Sequence, residues 1–162
     1  MNCPPAKPGG TAGAFVFELE QFLPYRLSLL TNTVSDGIAQ SYREKYDISV
    51  TEWRILAVLG RYPGLTASEI VDRTAMDKVA ISRAVKNLVK KNLLHRKTDQ
   101  EDRRRMLLFI TTTRGAQMLA EVMPLARQYE KKLLDSLDSN ERKALSKAIQ
   151  TLQVQAQSLK IK

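Results

Sequence analysis

The fifty residues from Thr66 to Gly115 constrain the fold more than any other part of the chain. They read TASEIVDRTAMDKVAISRAVKNLVKKNLLHRKTDQEDRRRMLLFITTTRG. Thr66 and Glu69 have the spacing of a capping box, which opens a short helix bearing Ile70 and Val71. Thr74-Ala75-Met76 supplies a turn, and Asp77 caps a second helix. Within that helix Ile81, Ala84, Val85 and Leu88 recur at i, i+3, i+4 and i+7, so they form one buried face. After Leu93 the pattern changes. Leu94 to Thr98 and Met106 to Thr111 read as strands, with the polar run Asp99 to Arg105 as the hairpin tip between them. Helix, turn, helix and hairpin in this order predict a winged helix-turn-helix, a mainly α fold with a small β wing.

Charge points to the partner. The chain carries a formal +9, and between Asp77 and Arg105 ten Lys and Arg face only four acids. A local excess of that size within so short a stretch calls for a polyanion. Other classes are disfavoured. There is no Gly-rich phosphate loop, and one Cys and one His are too few for a recognisable metal site, so neither an enzyme nor a cofactor is expected. Cys3 alone excludes an internal disulfide. No apolar run approaches the ~20 residues needed to cross a bilayer. The N-terminus lacks the apolar core of a signal peptide, so a cytoplasmic location is expected.

Residues 1–13 are rich in Pro and Gly and are expected to be a disordered tail. A helical pattern runs from Phe15 to about Tyr46, with Leu23, Leu27, Leu30, Val34 and Ile38 on one stripe. Pro24 suits a first turn and not an interior, so the main helix is expected to start there. Ser49 and Glu52 repeat the capping-box spacing ahead of Trp53, Leu56 and Leu59. From Thr112 a long helix is expected to about Ser136, and Asp138 with Glu141 opens a last one. Their apolar residues, among them Leu119, Val122, Met123, Ala126, Leu133, Leu145, Ile149 and Leu152, are expected to lie beyond the reach of the winged lobe. Residues 14–46 and 112–162 are therefore expected to form a dimerisation region around a winged lobe at 47–111.

On the second helix of the motif, Lys78, Ser82, Arg83 and Lys86 lie away from the buried face and are the candidate base readers. Lys90 and Lys91 sit further back, suited to phosphates or to solvent. Thr66, Ser68 and the amides of their helix start are candidate phosphate donors. At the hairpin tip Asp102, Arg103 and Arg104 suit a minor groove, with the carboxylate expected to steady the guanidinium.

The combined pattern DKVAISRAVKNLVKKNLLHR, the D-x-x-D-R-R from Asp99 to Arg104, and the L-x-x-x-x-x-x-G from Leu108 to Gly115 resemble the MarR-type transcriptional regulators over roughly residues 20–158. The resemblance implies a triangular homodimer with interlocked N- and C-terminal helices. It also implies that Arg104 is the minor-groove residue and Asp102 its orienter. The run FLPYRLSLL…EWRILAVLG is further similar to members that control the catabolism of plant-derived aromatic acids, including hydroxycinnamate repressors.

From these readings the expected function is a repressor on a pseudo-palindromic operator in double-stranded DNA, released by a small aromatic carboxylate or phenolic effector. Arg26 stands at the edge of the apolar N-terminal stripe, where a guanidinium needs an anion. It is the candidate for the effector carboxylate, with Ser28, Asn32 and His95 expected near the effector hydroxyls. An effector-independent architectural DNA binder, and a repressor switched through the thiol of Cys3, are the alternatives.

Overall fold

The computed structural model describes residues 17–159. The tail expected at 1–13, with Cys3, lies outside the described residues. A 3-10 turn at Leu19–Gln21 leads into α1 (Leu23–Ala39), α2 (Arg43–Tyr46), α3 (Val50–Arg61), α4 (Ala67–Thr74) and α5 (Lys78–Lys90). Strands β1 (Leu94–Thr98) and β2 (Met106–Ile110) follow, then α6 (Arg114–Leu134) and α7 (Ser139–Ser158). The chain forms two compact units whose boundary falls inside α1, between Val34 and Ser35.

In the first unit Pro24 occupies the first turn of α1, where its missing N–H has no partner to lose. Leu23, Leu27 and Leu30 all remain exposed.

In the second unit the helix expected to run on to Tyr46 breaks instead. α1 ends at Ala39, the Ser41 hydroxyl donates to the Ile38 carbonyl at 2.6 Å, and α2 follows as one separate turn. The physical reason is aromatic packing. The turn carries Tyr42 into the core, where its ring stacks on Trp53 with centroids 5.4 Å apart, and Tyr46 is buried one turn later. Asp47, at φ 48°, ends α2 in the left-handed region.

Four helices start as the sequence indicates. The Ser49 amide donates to Glu52 Oε2 at 2.7 Å while the Glu52 amide donates to Ser49 Oγ at 3.2 Å. Thr66 and Glu69 make the same reciprocal pair for α4, and Asp138 and Glu141 for α7. Asp77 caps α5 through Oδ1, which accepts the amides of Val79 and Ala80 at 2.9 Å. Ile81, Ala84, Val85 and Leu88 are all buried, against Ile55, Leu56 and Ile70 among others in one core.

β1 and β2 pair antiparallel, from Leu94 opposite Ile110 to Thr98 opposite Met106. The hairpin is pinned at the middle of β2. Leu108 donates its amide to the Leu65 carbonyl at 2.9 Å, and the Gly64 amide donates back to the Leu108 carbonyl at 3.0 Å. Gly64 adopts φ 83°, a conformation that favours glycine.

The last two helices differ from expectation in one respect. Met118 and Val122 of α6 are core residues, and Leu119, Met123 and Ala126 pack against the same core. The first half of α6 is thus covered by the winged lobe and forms part of it. Gly115 makes this possible, because a Cβ there would meet the Leu93 carbonyl and the Ile110 side chain. Beyond Pro124, apart from Ala126, the picture reverses. Leu125, Leu133, Leu145, Ile149 and Leu152 are exposed, and α7 has no buried residue along its 20 residues.

Candidate nucleic-acid interface

α5 presents two faces built on the same spacing. Ile81, Ala84, Val85 and Leu88 are buried; Val79, Ser82, Arg83 and Lys86 repeat i, i+3, i+4, i+7 two residues earlier and are exposed. An offset of two residues is about 200° around a helix of 3.6 residues per turn, so the second set points away from the core. Lys78, Val79, Ser82, Arg83 and Lys86 line one shallow groove. Among the described residues no carboxylate forms a salt bridge with Lys78, Arg83 or Lys86. Their charge is left for an outside anion.

Thr66 and Ser68 divide. The Thr66 hydroxyl donates to Glu69 Oε2 at 2.9 Å, and its own amide donates to the same oxygen at 2.7 Å. These bonds hold the Glu69 carboxyl below its usual range, so a negative charge sits at the start of α4. Ser68 is exposed.

At the wing tip Asp99 Oδ1 accepts the Glu101 amide and Asp102 Oδ1 accepts the Arg104 amide, each at 3.0 Å. Asp102 therefore sets Arg104 through its backbone, where the sequence suggested contact with the guanidinium. Arg103 and Arg104 are exposed, and among the described residues neither has an ion-pair partner. The third arginine is the anchored one. Arg105 reaches Glu69 Oε1 at 2.9 Å and Asp99 Oδ2 at 3.6 Å, tying the wing to the first turn of α4.

Lys91 is also placed differently from the sequence reading. Its ammonium pairs with Asp47 Oδ2 at 3.3 Å and Glu52 Oε2 at 3.7 Å, and also donates to the Asp47 carbonyl. Glu52 is almost wholly buried, so the half-buried Lys91 balances an interior charge and its ammonium is engaged within the protein. Lys90 remains exposed.

Of the residues suggested for an effector, Arg26 lines a shallow hollow with Glu20, Tyr25, Leu29, Leu30 and Thr33. Ser28 and Asn32 are not among its lining residues. They lie two and six positions after Arg26, about 200° and 240° around the helix, so they share a face with each other but not with Arg26. The His95 ring stacks on Phe109, its partner across the hairpin, with centroids 5.6 Å apart.

Sequence reading missed Arg105 and Val79. Arg105 depends on a pairing with Glu69 that no local pattern reveals. Val79 had a signal: it shares the i, i+4, i+7 register of Arg83 and Lys86.

A capped helix-turn-helix with a basic outward face and a pinned hairpin defines a winged-helix DNA-binding lobe. The model of the MarR family matches residues 46–105, which span that lobe from the end of α2 to the wing tip. The HTH-type transcriptional regulator TcaR of Staphylococcus aureus (strain Newman) is 27% identical over 124 residues, covering 76% of this chain and 78% of TcaR. A MarR/EmrR family regulator from Acinetobacter sp. ADP1 superposes with a TM-score of 0.80 at 25% identity, over 88% of this chain and all of the other. Bordetella bronchiseptica BpsR, whose DNA binding is regulated by 6-hydroxynicotinic acid, shares the fold with a TM-score of 0.73 at 19% identity, over 85% of this chain and 96% of BpsR. The chain is thus similar to the winged-helix transcriptional regulators of the MarR family, which are regulators and not enzymes, and it shares their fold. Among the described residues no helix is long and apolar enough to cross a membrane.

Proposed function

We propose that the protein is a homodimeric repressor that reads a two-fold symmetric operator and is released from it by a small aromatic acid or phenol. The observation that carries the DNA reading is the outward face of α5, a groove lined by three cations and a serine with no acid among them. Arg83 addresses guanine with two hydrogen bonds, Lys78 and Lys86 read acceptor edges or phosphates, and Ser82 bonds either kind of base. Arg104, with Arg103 beside it, enters the minor groove from the wing, and Ser68 takes a phosphate near the start of α4.

A second copy covers the apolar residues that a single chain leaves in water. α7 exposes Leu145, Ile149 and Leu152 at i, i+4 and i+7, one stripe on a helix with no buried residue of its own. Two lobes then meet half-sites about 10 bp apart.

For the effector, Arg26 holds the carboxylate against the ring of Tyr25 and the side chains of Leu29 and Leu30. The regulation of BpsR by a hydroxylated aromatic acid supports this ligand class. A coupling of about 1–3 kcal/mol between effector and DNA is enough for release. The test is operator binding titrated with aromatic acids for the wild type and Arg26→Ala. The reading expects the wild type to be released and the variant to bind DNA normally but to resist release. Unchanged release in Arg26→Ala removes Arg26 from the effector site.

A further inference from the structure

The reading face of α5 contains one residue that charge and hydrogen bonding do not explain. Val79 is 65% exposed, in the first turn of α5 among Lys78, Ser82, Arg83 and Lys86. It lies one turn before Arg83 and two turns before Lys86. On that stripe it is the sole apolar side chain, and its exposed methyl groups have no packing partner in the core cluster.

The major groove offers a single apolar feature, the C5-methyl group of thymine. A β-branched side chain suits that contact. Valine is held largely to one χ1 rotamer in a helix, so little freedom is lost when the two methyl surfaces meet. We propose that Val79 is a specificity-determining residue that reads a thymine methyl in each half-site. The inference rests on the reading of α5 as the major-groove helix and adds a base identity to it. Val79 and Arg83 are separated by about 6 Å along the helix axis. The thymine therefore lies within about two base pairs of the base that Arg83 reads, at a rise of about 3.4 Å per pair.

The contact can be removed from either side. An operator is first obtained by binding-site selection with the full-length protein. Each thymine of one half-site is then replaced singly by deoxyuridine, which deletes the methyl and leaves the hydrogen-bonding edges intact. For the wild type, one replacement near the Arg83 base weakens binding by about three- to fivefold, the worth of roughly one buried methyl group. Val79→Ala binds the thymine operator more weakly and is indifferent to that replacement. Val79→Thr, which keeps a methyl on Cβ, retains part of the sensitivity. Both variants fold, because the position is exposed and alanine is a better helix former.

Two results overturn the inference, and they differ. An operator whose binding depends on Arg83 but responds identically to every deoxyuridine in wild type and Val79→Ala removes the methyl contact alone. A selection that enriches no sequence removes the reading of α5 itself, and the Val79 contact with it.

Discussion

The Glu69 carboxylate joins two parts of the reading unit: its Oε2 closes the capping box of α4, and its Oε1 accepts from Arg105 of the wing at 2.9 Å. The wing is also attached to the lobe further down, at the middle of β2, through Leu108, Leu65 and Gly64. The pair thus fixes the far end of the hairpin beside the helix-turn-helix.

Arg105→Ala should separate affinity from stability. Both partners are about two-fifths exposed, and such surface pairs are worth at most about 1 kcal/mol. The melting temperature should therefore change little, while operator affinity falls several-fold as the tip gains freedom and Arg103 and Arg104 lose their fixed position. Anisotropy titration and thermal melting check the two halves.

Lys91→Met should show the opposite pattern. It leaves Glu52 buried with Oε1 already lacking a hydrogen-bond partner and its nearest cation gone. An uncompensated buried acceptor costs about 1–3 kcal/mol, so denaturant midpoints should fall by that amount. The salt dependence of DNA binding should stay the same. A shallower salt slope would return Lys91 to the phosphate contacts.

Tyr42→Phe should leave stability unchanged or raise it. The Tyr42 hydroxyl is buried without a partner among the described residues, and burial pushes its pKa up to about 12. Removing an unsatisfied buried hydroxyl while keeping the ring on Trp53 relieves a desolvation penalty. A clear drop in melting temperature would mean that the hydroxyl has an ordered partner.

Acid should loosen the join between α2 and α6. Glu121 accepts from Lys45 and from the Tyr46 hydroxyl, each at 2.5 Å, and these bonds lower its carboxyl pKa to about 2. A carboxyl depressed in the folded state stabilises fully above its ordinary value near 4.5 and loses that contribution as pH falls toward 2. The wild type should therefore melt higher than Glu121→Gln near neutral pH, and the gap should close across that window. A gap independent of pH would assign it to packing.

How much was legible in the sequence depended on range. Ser49 with Glu52, Thr66 with Glu69, Asp77, and Asp138 with Glu141 are local signals, and each marks a helix start that the structure contains. The faces of α5 also follow from spacing alone. The break after Ala39 was hidden because no Gly or Pro marks it: Tyr42 and Tyr46 continue a helical spacing while their rings turn into the core. The cover of Leu119 and Val122 by the lobe, the Lys91–Glu52 pair and the Arg105–Glu69 pair join residues more than 30 positions apart in the chain, or depend on such joins. Ser28 and Asn32 are a different kind of miss, since their angle from Arg26 was already implied by the helical repeat.

The central claim is that the outward face of α5 reads DNA sequence. Its most direct test is binding-site selection run in parallel with wild type and Arg83→Ala. The account predicts that the wild type enriches a two-fold symmetric site with half-site centres about 10 bp apart. Arg83→Ala should enrich the same site with one position per half-site relaxed, at a cost of about 1–3 kcal/mol for the lost base contact. An identical consensus from both proteins, or none from the wild type, would contradict it.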